Sequence, residues 1–319
     1  MAWRRFRDVL EEHQVPIYLL AIGAGLALGA LLPGSAVTLE IAVEPAIAAL
    51  LLVTFCGVPL RGLGGAVQDR RFLLSLLAVN FVAVPLLVLV ITRPLAGAPE
   101  LLVPALLVLL APCVDYVIVF TALAGGAKGQ LLAATPLLML VQMLALPVLV
   151  PLLAGGGVSG LFSPVPFLRA LVLLILLPLL AAALIQHLAP HWDLSAAMVP
   201  LMAATLVTVV GSQTPRVLAT GTSLLVLVPV YVAFLVLATA AGILVSRHAG
   251  LDVPSARALT FSGATRNSLV VLPLALALPL PLAPAAVVTQ TLVELLGMVL
   301  LVRILPRLIR DGRRPPARR

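Results

Sequence analysis

Long apolar runs, each closed by a short cluster of charges, prolines or glycines, repeat along the whole chain. A helix needs about 20 apolar residues to cross the hydrocarbon core of a bilayer. Dividing the chain at its polar clusters gives ten candidate spans, at 16–33, 41–60, 72–94, 101–124, 130–153, 165–188, 194–213, 222–246, 256–279 and 284–306. The divisions are sharpest at Arg61–Arg71, Gly125–Gln130, Gly155–Gly160, Ala189–Asp193 and Ser246–Arg257. Only the prolines around Pro279–Pro284 separate the ninth run from the tenth, so nine spans is the alternative. The pattern predicts an all-α polytopic membrane protein.

Ten spans divide as five plus five, and an odd-numbered repeat inverts in the membrane, a common plan of secondary transporters. The expected organisation is a first repeat over 1–160, a second over 161–306 and a basic tail over 307–319. Span 4 contains LLAPCVDYVIVFTALAGG and span 9 contains LTFSGATRNSLVVLPLALALP. Both interrupt an apolar run with a polar cluster and proline or glycine. Discontinuous helices at matching positions in two halves point to a binding site near the bilayer midplane.

Composition removes the soluble alternatives. Hydrophobic residues make up 62%, charged residues 10%, and the mean hydropathy is +1.21. A soluble domain carries roughly 25% charged residues, and this chain could not cover itself with polar surface. Twenty-seven prolines and 23 glycines are tolerated inside membrane spans. Arg4, Arg5 and Arg7 precede the first run as in a signal peptide, but Glu11, Glu12 and His13 intervene and no small-residue cleavage site follows. The run from Pro16 to Leu32 therefore reads as a retained span. Trp3, Phe6 and Leu10 at helical spacing suit a short interfacial helix.

The net charge of +8 is distributed in short segments between spans, which argues against nucleic acid and for a loop bias. With both termini on one side, sixteen lysines and arginines fall on that side, and only Arg93, Arg169 and Arg216 on the other. Positive segments stay in the cytoplasm, so both termini are expected there, in a cell membrane.

Asp115 and Arg266 stand out because a charge at a span centre costs roughly 2.5–3.5 kcal/mol on insertion scales. An Asp115–Arg266 ion pair is expected, either as a gate or as a structural bridge. Cys113, beside Pro112, could bind a soft solute or could pack as a small hydrophobe, as Cys56 is expected to do. Asn80, Pro85, Gln142 and Gln290 form a second tier, more often interhelical glue than ligands. Glu294, like Asp115, carries an exchangeable proton inside an apolar span and is a candidate for proton coupling. Thr265, Asn267 and Ser268 flank Arg266 and could line a site. Gly23, Gly25 and Gly29 read as a helix-packing face. His187, His191 and Asp193 are a poor metal site because Pro190 breaks their face, and no metal or cofactor is expected. The motifs of metalloproteases, serine hydrolases and nucleotide-binding enzymes are missing, so catalysis is not expected.

Four stretches resemble the bile acid:sodium symporter superfamily, and within it the Acr3-like arsenite efflux permeases. NFVAVP (Asn80–Pro85) resembles a third-span motif, and APCVDYVIVF (Ala111–Phe120) the fourth-span A-P-C motif. GATRNSLVVLPLALA (Gly263–Ala277) is similar to the span-9 crossover, and TLVELLGMVLLVRI (Thr291–Ile304) to the last span. The resemblance implies ten helices in panel and core domains, unwound where spans 4 and 9 cross, and alternating access. It also implies that Cys113 handles arsenite and that Asn80 is the third-span asparagine. Sodium-coupled members carry small polar residues where this chain has Val117 and Ile118, and a glutamate and glutamine where it has Ser262 and Arg266. Leu269 stands near the place of a glutamate of the arsenite branch. A guanidinium standing where a cation would sit implies sodium-independent transport.

The function expected is a secondary transporter exporting arsenite or a related oxyanion, with Cys113, Asp115, Arg266, Asn267, Ser268 and Asn80 around the solute. Its partners are a small or anionic solute, the lipid bilayer and, as candidate coupling ion, the proton. An organic-anion symporter of the same fold, with Arg266 as carboxylate clamp, is the alternative. A non-transporting receptor or assembly subunit is the alternative of another class.

Overall fold

A computed structural model describes residues 10, 13–57, 69–155, 164–189, 192 and 194–310. Trp3, Phe6, His191, Asp193, the boundary at 160/161 and the tail beyond residue 310 lie outside the described residues.

Every described element is helical apart from one isolated bridge. Among the described residues, eight helices are long and apolar enough to cross a membrane: α1 (Gln14–Leu31), α2 (Pro33–Cys56), α3 (Arg70–Ile91), α6 (Lys128–Ala154), α7 (Val165–Leu188), α8 (Met198–Thr220), α9 (Thr222–His248) and α12 (Ala283–Leu308). Two further spans are each built from two short helices. Span 4 is α4 (Pro99–Leu109) and α5 (Val117–Leu123), and span 9 is α10 (Val253–Ala264) and α11 (Ser268–Leu276). Eight of the ten runs of the hydrophobic pattern are thus helices of spanning length, the fourth and ninth are broken into two short helices each, and the turn before Ala283 separates the last two runs. Long exposed leucines and valines such as Leu20, Val90, Leu144 and Leu180 are the lipid-facing surface such a protein requires.

Packing sorts the spans into two groups. α8 lies against α1 and α2, and α7 against α2, forming one group from spans 1, 2, 6 and 7. The rest pack around α9, α10 and α12. Close approach explains Gly29, where a Cβ would fall 2.5 Å from the Gly211 carbonyl oxygen and 2.6 Å from Thr214 Cβ, and Gly25, where it would fall 3.0 Å from the Val207 carbonyl oxygen. Gly23 faces open space and is not part of the packing face.

Prolines shape the long spans locally. A proline lacks the N–H that closes the turn before it, and a wide i→i+5 turn absorbs the misfit. Such a turn covers Val79–Ala83 just before Pro85, and another covers Leu171–Leu176 just before Pro178. Asn80 sits inside the first.

The breaks in spans 4 and 9 meet each other. Cys113 N–H donates to the Thr265 carbonyl at 3.2 Å, and Asn267 N–H donates to the Ala111 carbonyl at 2.8 Å. Pro112 and Arg266 form an antiparallel bridge between them. Backbone groups freed inside a membrane must find partners in the protein, and here each break supplies partners to the other. That mutual pairing lets two helices unwind at one place.

Candidate functional site

The crossing is a site because it brings helix ends to the middle of the protein. The carbonyls at the ends of α4 and α10 carry partial negative charge. Arg266 fills the space between them and is fully buried. Its Nη2 donates to the carbonyls of Ser262 and Gly263, both at 2.8 Å, and Nη1 donates to the Leu109 carbonyl at 3.3 Å. Nη2 also donates to Asn80 Oδ1 at 2.9 Å. Asn80 is held in turn by Nδ2, which donates to Ser262 Oγ and to the Leu76 carbonyl, both at 3.0 Å. The guanidinium carbon also lies 5.2 Å from the ring centroid of Phe234 on α9, within cation–π range. Four oxygens and an aromatic face thus surround one fixed cation.

The Asp115–Arg266 ion pair expected from the sequence is not formed. The carboxylate that meets Arg266 is Glu294 on α12, whose Oε2 accepts from the Arg266 backbone N–H at 2.8 Å. Gln290 Nε2 donates to the same oxygen, and Tyr116 Oη lies 2.7 Å from Glu294 Oε1. Tyr116 Oη is also 3.1 Å from the Arg266 carbonyl. The arginine extends its side chain toward span 3, so its main chain rather than its guanidinium faces the acid. Tyr116, Gln290 and Phe234 complete a network in which the sequence reading gave Gln290 a minor place and Tyr116 and Phe234 none. The aromatic hydroxyl beside Asp115, inside an apolar stretch, was the available signal for Tyr116.

Asp115 is 1% exposed, and its Oδ1 has no hydrogen-bond partner. Asn267 Nδ2 and Arg266 Nε are likewise buried without a partner, and Ser268 Oγ makes no hydrogen bond of full geometry but faces the Tyr116 hydroxyl. Asn267 Oδ1 is engaged, accepting the Val270 N–H at 3.2 Å as the cap of α11. Cys113 is buried, with the backbone N–H groups of Asp115 and Val117 directed at its sulfur. The loop between α4 and α5 therefore holds a thiol and a carboxyl at the crossing, while Cys56 lies half-buried at the end of α2. The crossing brings together Cys113, Arg266, Asn80, Asn267 and Ser268, with Asp115 in the same loop. Among the described residues no group of three or more histidine, cysteine or acidic side chains could hold a metal.

Two crevices open beside α11, near the start of α2. The larger, about 630 Å³, is lined by Glu40, Arg216, Thr220 and the apolar turn 278–282. The smaller, about 140 Å³, is lined by Glu44, Arg169, Pro273 and Ala277. Glu40 pairs with Arg216 and Glu44 with Arg169, each at 2.9 Å. Two of the three arginines on the sparsely basic face are thus held by acids one turn apart on α2.

Residues 44–228, more than half of the chain, match the Sodium Bile acid symporter family. No curated protein matches the chain.

Proposed function

The chain belongs to the Sodium Bile acid symporter family, and from that premise we propose that it is a sodium-independent secondary transporter exporting arsenite or a related oxyanion. The observation that carries this reading is the Arg266 guanidinium between the carbonyl ends of the two broken spans. In secondary transporters, unwound carbonyls and half-helix C-termini are where a coupling cation binds. A side chain that already supplies the charge leaves no vacancy for a sodium ion, and the site needs none to hold its helix ends together.

Cys113 contacts the solute in this reading. Its thiol suits a soft, thiophilic atom, and the unengaged Asn267 Nδ2, with Ser268 Oγ, supplies donors for the oxygens of an oxyanion. Asn80 keeps Arg266 in its cage. Efflux is driven by proton exchange, for which Asp115 and Glu294 are the buried carboxyls at hand. The halves 1–160 and 161–306 work as inverted repeats, and the group of spans 1, 2, 6 and 7 moves against the rest to give alternating access. The charge bias along the sequence supports a cell membrane location with both termini in the cytoplasm.

The test is arsenite accumulation in a pump-deficient bacterium expressing the chain, with and without sodium. Lower accumulation than with empty vector, equal in both media, is the expected result. No difference from vector, with the protein present in the membrane, refutes arsenite export.

One observation favours a second reading, transport of an organic anion. The 630 Å³ crevice has a mixed polar and apolar lining with the Arg216–Glu40 pair at its edge, and its volume has room for a small organic molecule. Uptake of a labelled organic anion, absent in Arg216→Gln, would support it.

A further inference from the structure

The Tyr116 phenol has one proton and two acceptors in reach, Glu294 Oε1 at 2.7 Å and the Arg266 carbonyl at 3.1 Å. One hydroxyl proton makes one full hydrogen bond. Both contacts are satisfied when a second proton sits on Glu294 Oε1 and is donated to Tyr116 Oη, which then donates its own to the Arg266 carbonyl. We propose that Glu294 Oε1 is a proton-binding site and that Tyr116 is the positioning residue coupling its occupancy to the span-9 break. The proposal deepens, and for its role in transport rests on, the reading of the chain as a proton-exchanging carrier.

The hydrogen-bond inventory separates the two buried carboxyls. When charged, Glu294 meets three donors: Tyr116 Oη–H, the Arg266 backbone N–H and the Gln290 amide. When neutral, it keeps the last two and gives its proton to Tyr116. Both forms are solvated by the protein, as a group that alternates between them requires. Asp115 Oδ1 faces no partner, and a buried carboxylate without donors is strongly disfavoured. Glu294, with donors placed for its charged form, is therefore the carboxyl of the two that is built to exchange.

The ionisable groups facing Glu294 come from two elements, Tyr116 and Cys113 from span 4 and Arg266 from span 9. α9 contributes Tyr231, whose hydroxyl donates to the Ala286 carbonyl at 3.1 Å, two turns away along α12. Arg216 of α8 is held at the crevice by Glu40. In the exchange step the Oε1–H bond breaks and the proton passes to a water molecule. The Tyr116 Oη–H then turns from the Arg266 carbonyl to Oε1, and no other bond changes. The Arg266 carbonyl loses its donor at the residue where spans 4 and 9 pair, so proton release loosens the crossing.

Infrared difference spectra of the purified full chain, acid minus alkaline, test this without any solute. The expected result is a protonated-carboxyl C=O band that disappears in Glu294→Gln, persists in Asp115→Asn and moves in frequency in Tyr116→Phe. A difference spectrum unchanged by Glu294→Gln overturns the proton site. A band that Tyr116→Phe leaves unmoved overturns the phenol's part, and this variant decides the matter if Glu294→Gln does not fold. A failed arsenite assay beside the expected spectra would refute the solute and leave the proton site standing.

Discussion

Asn80 and Arg266, 186 positions apart, share a 2.9 Å hydrogen bond in which a span-3 amide oxygen accepts from the span-9 guanidinium. The same amide nitrogen donates to Ser262, one turn before Arg266 on α10. Asn80 thus grips both the cation and the helix end that the cation caps, so spans 3 and 9 are locked around one charge.

Replacing this grip by an apolar group removes one of the three oxygens around Arg266 Nη2 and the donor that Asn80 supplies to Ser262 Oγ. A hydrogen bond to a charged group is worth about 1.5–3 kcal/mol, so Asn80→Leu is expected to lose about that much. Asn80→Asp keeps an acceptor and adds a counter-charge, so it should melt above Asn80→Leu. Thermal melts of the detergent-solubilised variants check this, and the reverse order would show that Asn80 does not hold the cation.

Arg266→Ala empties a cage of four oxygens. If the guanidinium acts as a tethered cation, a free one should replace it. Added guanidinium at millimolar levels, or sodium, is expected to raise the melting temperature of Arg266→Ala and leave the wild type unmoved. A ligand at a hundredfold excess over its Kd stabilises by about 2.7 kcal/mol, a shift easily read. A variant blind to both ions would show that the oxygens make no cation site.

The two cysteines should separate cleanly. Cys113→Ser is expected to abolish arsenite exclusion by cells while leaving expression and melting temperature near wild type, because the hydroxyl fits the same space. Cys56→Ser should be silent in both assays. Equal exclusion by Cys113→Ser and wild type would remove the thiol from the solute path.

Glycine substitutions in α1 test how spans 1 and 7 pack. An added methyl at Gly29 must displace the Gly211 backbone or Thr214, and such overpacking costs about 1–3 kcal/mol. Gly23 has open space within 4 Å of a built Cβ, so Gly23→Ala should be neutral or slightly stabilising. Melting of the two variants side by side reads the difference, and equal melting temperatures would deny the close contact.

The span pattern was legible in the sequence because the bilayer imposes a length and a polarity on each segment separately. No knowledge of neighbours is needed to see that 130–153 can cross hydrocarbon or that 125–130 cannot. The breaks in spans 4 and 9 were legible for the same local reason. Pro112 and Asp115 in one, and Thr265–Ser268 in the other, put polar and helix-breaking residues where a continuous apolar helix would be expected. Cys113, Asp115, Asn80, Arg266, Asn267 and Ser268 stood out by their chemistry against an apolar background.

What each polar group touches was decided by tertiary structure. Opposite charges in two broken spans suggest an ion pair, yet Asp115 and Arg266 do not form one, and the carboxylate beside Arg266 is Glu294. Sequence supplies the charges of all three residues but not the direction in which Arg266 leaves its backbone. That direction follows from where the carbonyls of Leu109, Ser262 and Gly263 end up, which exists only once two helices unwind against each other. For the same reason the sequence does not show that Tyr116 and Phe234 join this network. The membrane, acting residue by residue, made the spans readable from the chain. The partners of a buried charge depend on distances between segments as many as 186 residues apart, and only packing sets those.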